Sequence, residues 1–169
     1  SSYLPVPIVK KEGDEFFLSQ DLPNSIGRIK SSLGNFTVLI KAFVYILHMG
    51  SNGLKKVSEQ AVLSANYIRE KLNKAYPEGY KGICMHECVL TGKPYLKYGV
   101  TTKDIAKRLI DFGFHPPTIY FPHIVDEALM IEPTETESKK TLDEFIDALL
   151  KISEEAKEKP EIFRDTPYT

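Results

Sequence analysis

The sequence predicts a small α/β domain in which helices cover a short, mainly antiparallel sheet. Two observations predict this class: several stretches have the apolar spacing of amphipathic helices, and short apolar runs that read as strands lie between them. The chain has 169 residues, of which 42% are hydrophobic and 27% are charged, and its net charge is -1. These values are ordinary for a globular domain with a core, and the balanced charge argues against binding to nucleic acid or to a membrane surface.

Residues 1–50 are predicted to form an arm and an interface helix, and residues 51–169 the small domain. The prolines of the first 24 residues and the run EFFLS predict an extended arm with a strand or hairpin. Residues 36–49 (FTVLIKAFVYILHM) are apolar on nearly every side, with Lys41 as the one charged residue. The stretch is shorter than the ~20 residues of a membrane span. It is typical of a buried core helix, and the alternative is a surface made for a domain or subunit outside this chain.

Three amphipathic helices are predicted in the second part. Apolar positions recur at helical spacing in residues 54–72, 101–112 and 139–157, and the two threonines that open the second stretch are candidate N-caps. Gly113 is suited to follow the end of that second helix. Residues 82–90 (GICMHECVL) read as a strand. Helices therefore alternate with short strands along this part of the chain.

Residues 113–138 (GFHPPTIYFPHIVDEALMIEPTETES) form the most informative stretch. They read as loop, short strand, loop, strand and helix start, and Glu132 ends the second strand. Thr134 and Glu137 have the spacing of a capping box that would open the closing helix. Polar side chains where elements change direction often build functional sites, so we expect part of a site here.

Metal binding was considered for Cys84, His86 and Cys88, which alternate on the predicted strand and would share one of its faces. Such side chains lie ~6.6 Å apart along a line, so a tetrahedral shell would need ligands from elsewhere. The sequence has no second Cys/His cluster, which favours buried thiols beside a hydrogen-bonded histidine and predicts no metal. The same two cysteines make a disulfide framework improbable and indicate a reducing cytoplasm.

Residues 31–36 (SSLGNF) form a turn of small residues before the apolar helix. Unpaired N–H groups at a helix start attract anions, and glycine lets the backbone approach a ligand closely. Most such turns only cap the helix, with Asn35 here as the N-cap residue. Both interpretations stay open at this point.

Five segments together carry a family resemblance: SIGRIKSSLGNF, the long helix with LSANYI, MHECVL, AKRLIDFGFHPPTIYFP and ALMIEPTETESKKTLDEFIDAL. They resemble the C-terminal part of glycine dehydrogenase (decarboxylating), the pyridoxal-phosphate oxidoreductase of the glycine cleavage system, in the second subunit of its two-subunit bacterial form. The resemblance covers essentially the whole chain. It implies the aspartate-aminotransferase-like fold type I, with this chain as the C-terminal small domain plus the arm and helix that join it to the cofactor domain.

The resemblance also implies a reaction. Enzymes of this family decarboxylate glycine on pyridoxal 5'-phosphate and pass the aminomethyl group to the lipoyl disulfide of a carrier protein. Subunit 1 and that lipoyl carrier protein are therefore the expected partners, in an oligomer. The family's Schiff-base lysine stands in a His-Lys-Thr context that this sequence lacks. We expect a fragment, trimmed at both ends, that is inactive alone.

Site residues follow from the same resemblance. Gly34 and Asn35 are expected to contact the cofactor phosphate of a neighbouring protomer. His115, Thr118 and Tyr120 are expected to line the active-site mouth, where they would help to admit glycine or the lipoyl arm.

A different class of function is a stand-alone α/β binding or regulatory module without catalysis. Such a module would bury the apolar helix and the proline-rich arm internally. A part of a larger enzyme would instead leave a large apolar surface exposed.

Overall fold

The computed structural model describes residues 3–30, 32 and 34–168. The chain divides into two units, Ser1–Gly50 and Ser51–Thr169. Two positions of the predicted small-residue turn, Ser31 and Leu33, lie outside the described residues.

A β-hairpin forms the start of the first unit. Strand β1 (Ile8–Glu12) pairs with β2 (Glu15–Ser19) in antiparallel register, and Gly13 in the turn has a φ of 59°. A positive φ of this kind costs glycine nothing because it has no Cβ. The strand predicted for EFFLS is confirmed.

Helix α1 (Phe36–Leu72) is interrupted at Gly50, which has a φ of 60° and a ψ of 178°. The two predicted helical stretches are thus present, but the prediction of a buried core helix at residues 36–49 is wrong. Nine of its large apolar side chains are 42% to 76% exposed, because the described part of this unit supplies little besides a hairpin to cover a helix that is apolar on most sides. These residues are Phe36, Val38, Leu39, Ile40, Phe43, Val44, Tyr45, Ile46 and Leu47.

The second unit contains a three-stranded antiparallel sheet with helices. The sheet order is β3 (Cys88–Thr91), β5 (Ala128–Ile131) and β4 (Thr118–Ile119), with β5 in the centre. Helices α2 (Thr102–Asp111) and α3 (Lys139–Glu158) follow the predicted amphipathic stretches. The α/β class with a short antiparallel sheet is confirmed.

The strand predicted for residues 82–90 is shorter than expected, since β3 begins only at Cys88. The reason is a side-chain contact from helix α1. The Cys84 N–H donates to Oδ1 of Asn66 at 3.1 Å, and Nδ2 of Asn66 donates to the Cys84 carbonyl at 2.7 Å. Because Asn66 satisfies both backbone groups of Cys84, this residue has no need of a strand partner. Cys84 and His86 therefore lie in a loop and do not share a strand face with Cys88.

The ends of helix α2 follow the sequence signals. Thr101 is the N-cap: its Oγ1 accepts a hydrogen bond from the Asp104 N–H, and Oδ2 of Asp104 accepts one from the Thr101 N–H at 3.0 Å. This reciprocal pair is a capping box. Gly113 follows the helix with a φ of 82°, as predicted.

Helix α3 begins at Lys139, as its apolar spacing predicts, but its N-cap differs from the predicted one. Its N-cap is Ser138, whose Oγ accepts a hydrogen bond from the Thr141 N–H at 3.1 Å. The proposed capping box of Thr134 and Glu137 is therefore wrong. Those residues form a turn instead, in which the Glu137 N–H donates to the Thr134 carbonyl at 3.2 Å.

The core of the second unit joins the end of α1 to the sheet and to α3. Tyr76 is fully buried, and its hydroxyl donates to the Leu149 carbonyl of α3 at 2.9 Å. Tyr95 packs against Tyr76 with ring centroids 5.2 Å apart, and its hydroxyl donates to the Ala75 carbonyl at 2.7 Å. Both tyrosines bury a large ring while keeping their hydroxyls hydrogen-bonded. Other fully buried members are Ile68, Leu72, Leu90, Ile105, Leu109, Leu129 and Ile152.

Arg108 links α2 to α3 and to the end of the described chain. Its Nε and Nη2 donate to the two carboxylate oxygens of Glu155 at 2.9 and 3.1 Å, and its Nη1 donates to Asp111 at 3.1 Å. The guanidinium lies 5.0 Å from the Phe112 ring centre and 5.7 Å from that of Tyr168. The hydrogen bond to Glu155 raises the pKa of Arg108 above its usual range.

Substitution of Arg108 by Ala is expected to lower the free energy of unfolding by about 2–3 kcal/mol. The change would leave two largely buried carboxylates, those of Glu155 and Asp111, without this partner. Urea denaturation measures the effect. Lys103→Ala, at an exposed position of the same helix, is the control, and equal stability of the two variants would contradict the prediction.

Candidate functional site

A cleft of about 370 Å³ lies in the second unit, where two polar stretches of the sequence meet. Its floor is apolar and includes Ile68 of α1 with Leu142 and Phe145 of α3. Its rim carries the polar side chains of residues 115–118 and of residues 130–137. Both stretches belong to the segment that the sequence singled out.

Strand pairing brings the two stretches together. Thr118 of β4 stands opposite Met130 of β5, so the residues that precede β4 lie beside those that follow β5. Phe114 anchors the first stretch by packing its ring edge-on against Phe145, with centroids 5.4 Å apart. On the other side, Pro133 is buried and holds the second stretch in place.

The polar rim consists mainly of His115, Thr118, Glu132 and Glu137. All four side chains are exposed. Glu132 also lies close to His86, with Oε1 3.8 Å from Nε2. Because both side chains are 57% exposed, this is a weak contact that water screens. The cleft can therefore offer imidazole, hydroxyl and carboxylate groups above an apolar floor.

Tyr120 is not among the residues that line this cleft. Its φ of 58° turns the chain at the end of β4, and its hydroxyl accepts a hydrogen bond from the Lys103 N–H at 3.4 Å, at the start of α2. Glu127, with a φ of 52°, accepts one from the neighbouring Thr102 N–H at 2.6 Å. Both side chains thus satisfy N–H groups of the first turn of α2. The structure brings together His115 and Thr118 of the predicted trio and separates Tyr120 from them.

Two cleft residues escaped the site prediction. Glu137, which the sequence assigns to a capping box, and Thr141, which no motif of the sequence singles out, both line the cleft. The spacing of Thr141 from Ser138, the N-cap of α3, could have indicated that Thr141 lines the cleft. That spacing places Thr141 in the first turn of α3, next to the end of β5.

The turn at Gly34 and Asn35 belongs to the first unit. Oδ1 of Asn35 accepts a hydrogen bond from the Val38 N–H at 3.3 Å, which makes Asn35 the N-cap of α1. Gly34 has a φ of 124°, and a Cβ built there would meet nothing closer than Leu39 Cδ1 at 4.0 Å. The backbone conformation, and not crowding, is therefore what requires glycine.

The cleft does not fit pyridoxal phosphate. This cofactor needs a lysine for its Schiff base and donors for its phosphate. Of the described residues that line the cleft, none is a lysine or arginine, and two are glutamates. Any such cofactor would need residues from elsewhere.

The cysteines do not assemble a metal site in the described part of the chain, where no group of three or more His, Cys, Asp or Glu side chains is placed to hold a metal ion. Cys84 is half-buried and Cys88 is buried. Burial raises the pKa of the Cys88 thiol to about 12, and it also raises that of Cys84.

Of the helices in the described ranges, none is long and apolar enough to cross a membrane.

The comparisons with known proteins decide the family. Residues 57–165, a segment that contains the whole cleft, match the family model described as "Glycine dehydrogenase, C-terminal domain". The chain belongs to the glycine dehydrogenase C-terminal domain family. The resemblance seen in the sequence motifs is therefore confirmed.

Curated relatives of this glycine dehydrogenase domain carry the name "Probable glycine dehydrogenase (decarboxylating) subunit 2". The protein of Fervidobacterium nodosum is 59% identical over 167 residues, which cover 98% of this chain and 35% of the relative. That of Caldanaerobacter subterraneus subsp. tengcongensis is 56% identical over 168 residues, covering 99% and 35%. That of Staphylococcus aureus is 56% identical over 169 residues, covering 100% and 34%. The chain thus spans about a third of the length of these relatives.

The raised pKa of Cys88 predicts a loss of stability at alkaline pH. In the unfolded chain the thiol ionises above its ordinary pKa of 9.0, whereas in the folded state it keeps its proton up to about 12. Proton release therefore favours the unfolded chain between these two values, by at most about 1.4 kcal/mol per pH unit. Urea denaturation at several pH values in this window should show a shallower decline for Cys88→Ala than for the unchanged chain. Parallel declines would contradict the prediction.

Proposed function

We propose that this chain supplies one wall of the active site in a longer glycine dehydrogenase (decarboxylating) subunit 2. The observation that carries the proposal is the cleft itself. It lies within the family match. Two stretches meet there, residues 115–118 and 130–137, and they hold the most distinctive motifs of the chain. His115 and Thr118 stand on its rim and are the groups offered to an entering ligand.

In this proposal the longer protein releases carbon dioxide from glycine and transfers the aminomethyl group to a lipoyl carrier protein. The names of the relatives, and the third of their length that this chain spans, support such a context. Subunit 1 would be its partner, and the fold would be that of pyridoxal-phosphate enzymes of type I. The free thiols Cys84 and Cys88 are in keeping with a reducing cytoplasm.

The cofactor would be held by the part of the longer subunit outside this chain, because the cleft residues do not supply the groups that it needs. This chain alone is therefore expected to be inactive. Its contribution would be to orient a ligand and to exclude water from one side of the reaction.

The chemistry of the cleft favours the lipoyl arm over glycine as the ligand of this wall. Glu132 and Glu137 line it, and the described lining includes no lysine or arginine. A glycine carboxylate would therefore meet two like charges and no cationic partner, which is unfavourable at close range. The uncharged lipoyl arm would instead bury apolar surface on Phe114, Met130 and Phe145, which line the cleft and are partly exposed.

Substitution of His115 by Ala in the longer subunit is expected to reduce activity by roughly tenfold or more, because a misplaced ligand loses the benefit of orientation. The exchange of carbon dioxide into glycine and the transfer to the lipoyl carrier measure the two half-reactions. If His115 contacts the lipoyl arm, the variant should lose more activity in the transfer to the lipoyl carrier than in the exchange of carbon dioxide. Stability should stay the same, since the His115 side chain is exposed.

His123→Ala is the matched control for this experiment. His123 is also exposed and follows a proline in a loop, but it does not line the cleft. Unchanged activity of His115→Ala, or an equal loss in both variants, would count against the proposed wall.

Gly34 and Asn35 are proposed to contact the cofactor phosphate in a neighbouring protomer, and the capping geometry allows a clean test. Asp caps a helix as well as Asn does, so Asn35→Asp should preserve the helix start while placing a negative charge beside the phosphate. The affinity of the longer subunit for pyridoxal phosphate should fall roughly tenfold. Titration of the cofactor absorbance measures it. Unchanged affinity in the Asp variant would restrict Asn35 to its capping role.

A further inference from the structure

A second depression of the second unit lies beside the cleft and has an apolar rim that the proposed active-site wall does not use. We call it the loop groove: a depression of about 460 Å³ between residues 80–87 and residues 121–122. Its rim is open to solvent, since Ile83 is 87%, Met85 71% and Phe121 50% exposed. Large apolar side chains that cluster in this way are typical of a surface that another molecule covers.

The loop that carries Ile83 and Met85 is fixed to helix α1. Asn66 of α1 hydrogen-bonds both backbone groups of Cys84, the residue between them, at 2.7 and 3.1 Å. Side chains on a loop that is already fixed lose less conformational freedom when a partner binds, and such pre-organisation favours association. The two exposed side chains therefore belong to a prepared surface.

The loop groove is continuous with the cleft across one face of the sheet. Met130 of β5 lines both. Val89 of β3 and Thr118 of β4 stand opposite Met130 in the two strand registers; Val89 lines the groove, and Thr118 lines the cleft. Because adjacent strands lie ~4.8 Å apart, roughly 10 Å separate Val89 from Thr118. At the edge of the sheet, His86 of the groove and Glu132 of the cleft are 3.8 Å apart. A flexible arm that crosses Met130 therefore reaches from the groove into the cleft.

We propose that the loop groove is the docking surface for the folded body of the lipoyl carrier protein, whose arm crosses Met130 to enter the cleft. This inference rests on the proposed function, because it takes the lipoyl arm as the ligand of the cleft. An arm that is attached to a protein brings the protein surface around its attachment point to the mouth of the site that it enters. The loop groove is apolar, exposed and continuous with the cleft, so it meets that surface.

The exposure of the rim favours a protein body over the arm by itself as the occupant. A narrow arm can contact the half-buried side chains of Met130 and Val89 in the floor. Ile83 and Met85 project into solvent, and only a broad surface covers them both. The charged residues of the described lining, namely Arg69, Lys81 and Glu87, include both signs. Recognition therefore depends mainly on apolar contact.

Substitution of Ile83 by Gln in the longer subunit, assembled with subunit 1, tests the docking surface. Two substrates separate docking from chemistry: the lipoyl carrier protein, and free lipoamide, which has the arm without the protein. We expect Ile83→Gln to raise the KM for the carrier roughly tenfold, the effect of losing one interface hot spot, and to change the KM for lipoamide less than about twofold. The fold should tolerate the change, since the side chain is 87% exposed.

Leu63→Gln is the matched control. Leu63 is also an exposed apolar residue of the second unit, but it lines neither the groove nor the cleft. Both KM values should stay unchanged in this variant. An unchanged carrier KM in Ile83→Gln, an equal rise in the two variants, or an equal rise for carrier and lipoamide would overturn the proposal.

Oxidation of Met85 by hydrogen peroxide reports directly on what covers the groove. The sulfoxide is measured by mass spectrometry of the peptide that contains Met85, in the assembled enzyme with and without the carrier. We expect ready oxidation without the carrier and a rate roughly fivefold or more lower at saturating carrier, because a buried thioether is shielded from the oxidant. Protection before the carrier is added would show that another part of the enzyme covers the groove and would overturn the proposal. A rate that the carrier leaves unchanged would overturn it too.

The two substrates also distinguish this proposal from the active-site wall. His115 lies in the cleft, so His115→Ala should slow transfer to the carrier and to lipoamide alike, whereas Ile83→Gln should affect the carrier alone. A loss with both substrates in His115→Ala, together with a normal carrier KM in Ile83→Gln, would refute the docking surface and leave the wall in place. The reverse pattern would refute the wall. Failure of one proposal is therefore recognisable without failure of the other.

Discussion

The pairing of β5 with a strand on each side is the interaction on which the second unit depends. Leu129 and Ile131 point from β5 into the core and are at most 4% exposed, while Met130 between them reaches the cleft. This alternation is the ordinary two-residue period of a strand. This short strand therefore contributes Leu129 and Ile131 to the core, and its pairing with β4 places residues 115–118 beside 130–133. Loss of its register would remove the core and the cleft together.

Two departures from the sequence-based expectations share one cause. Side chains that are distant along the chain satisfy backbone groups that local patterns had assigned to other partners. Asn66 binds both backbone groups of Cys84, so the predicted strand starts late. Tyr120 and Glu127 accept hydrogen bonds from the first N–H groups of α2, and Tyr120 does not line the cleft. Buried backbone groups must be paired, but the sequence does not say which side chain will arrive to pair them.

The exposed helix of the first unit bears more on what surrounds this chain in a larger protein than on the stability of the unit itself. The burial rule for apolar helices is sound, yet it does not say that the burying partner belongs to the same chain. Here the described part of the first unit is too small to cover residues 36–49, and their apolar arc remains in solvent. The stand-alone module considered from the sequence would have buried this surface. Its exposure agrees better with a chain that works as part of a larger protein.

The sequence by itself determined the family, the α/β class, the helices and the stretches from which the cleft is built. These follow from local signals: apolar period, the Thr101 capping box, Gly113 after α2, and the motifs around His115 and Glu132. Only the tertiary structure decided which of those residues meet. The pairing of Thr118 with Met130 brings His115, Thr118 and Glu132 to one cleft, whereas Tyr120 contacts the start of α2. The physical reason is that periodicity and capping act within a few residues, whereas strand register and side-chain hydrogen bonds join residues far apart in the chain.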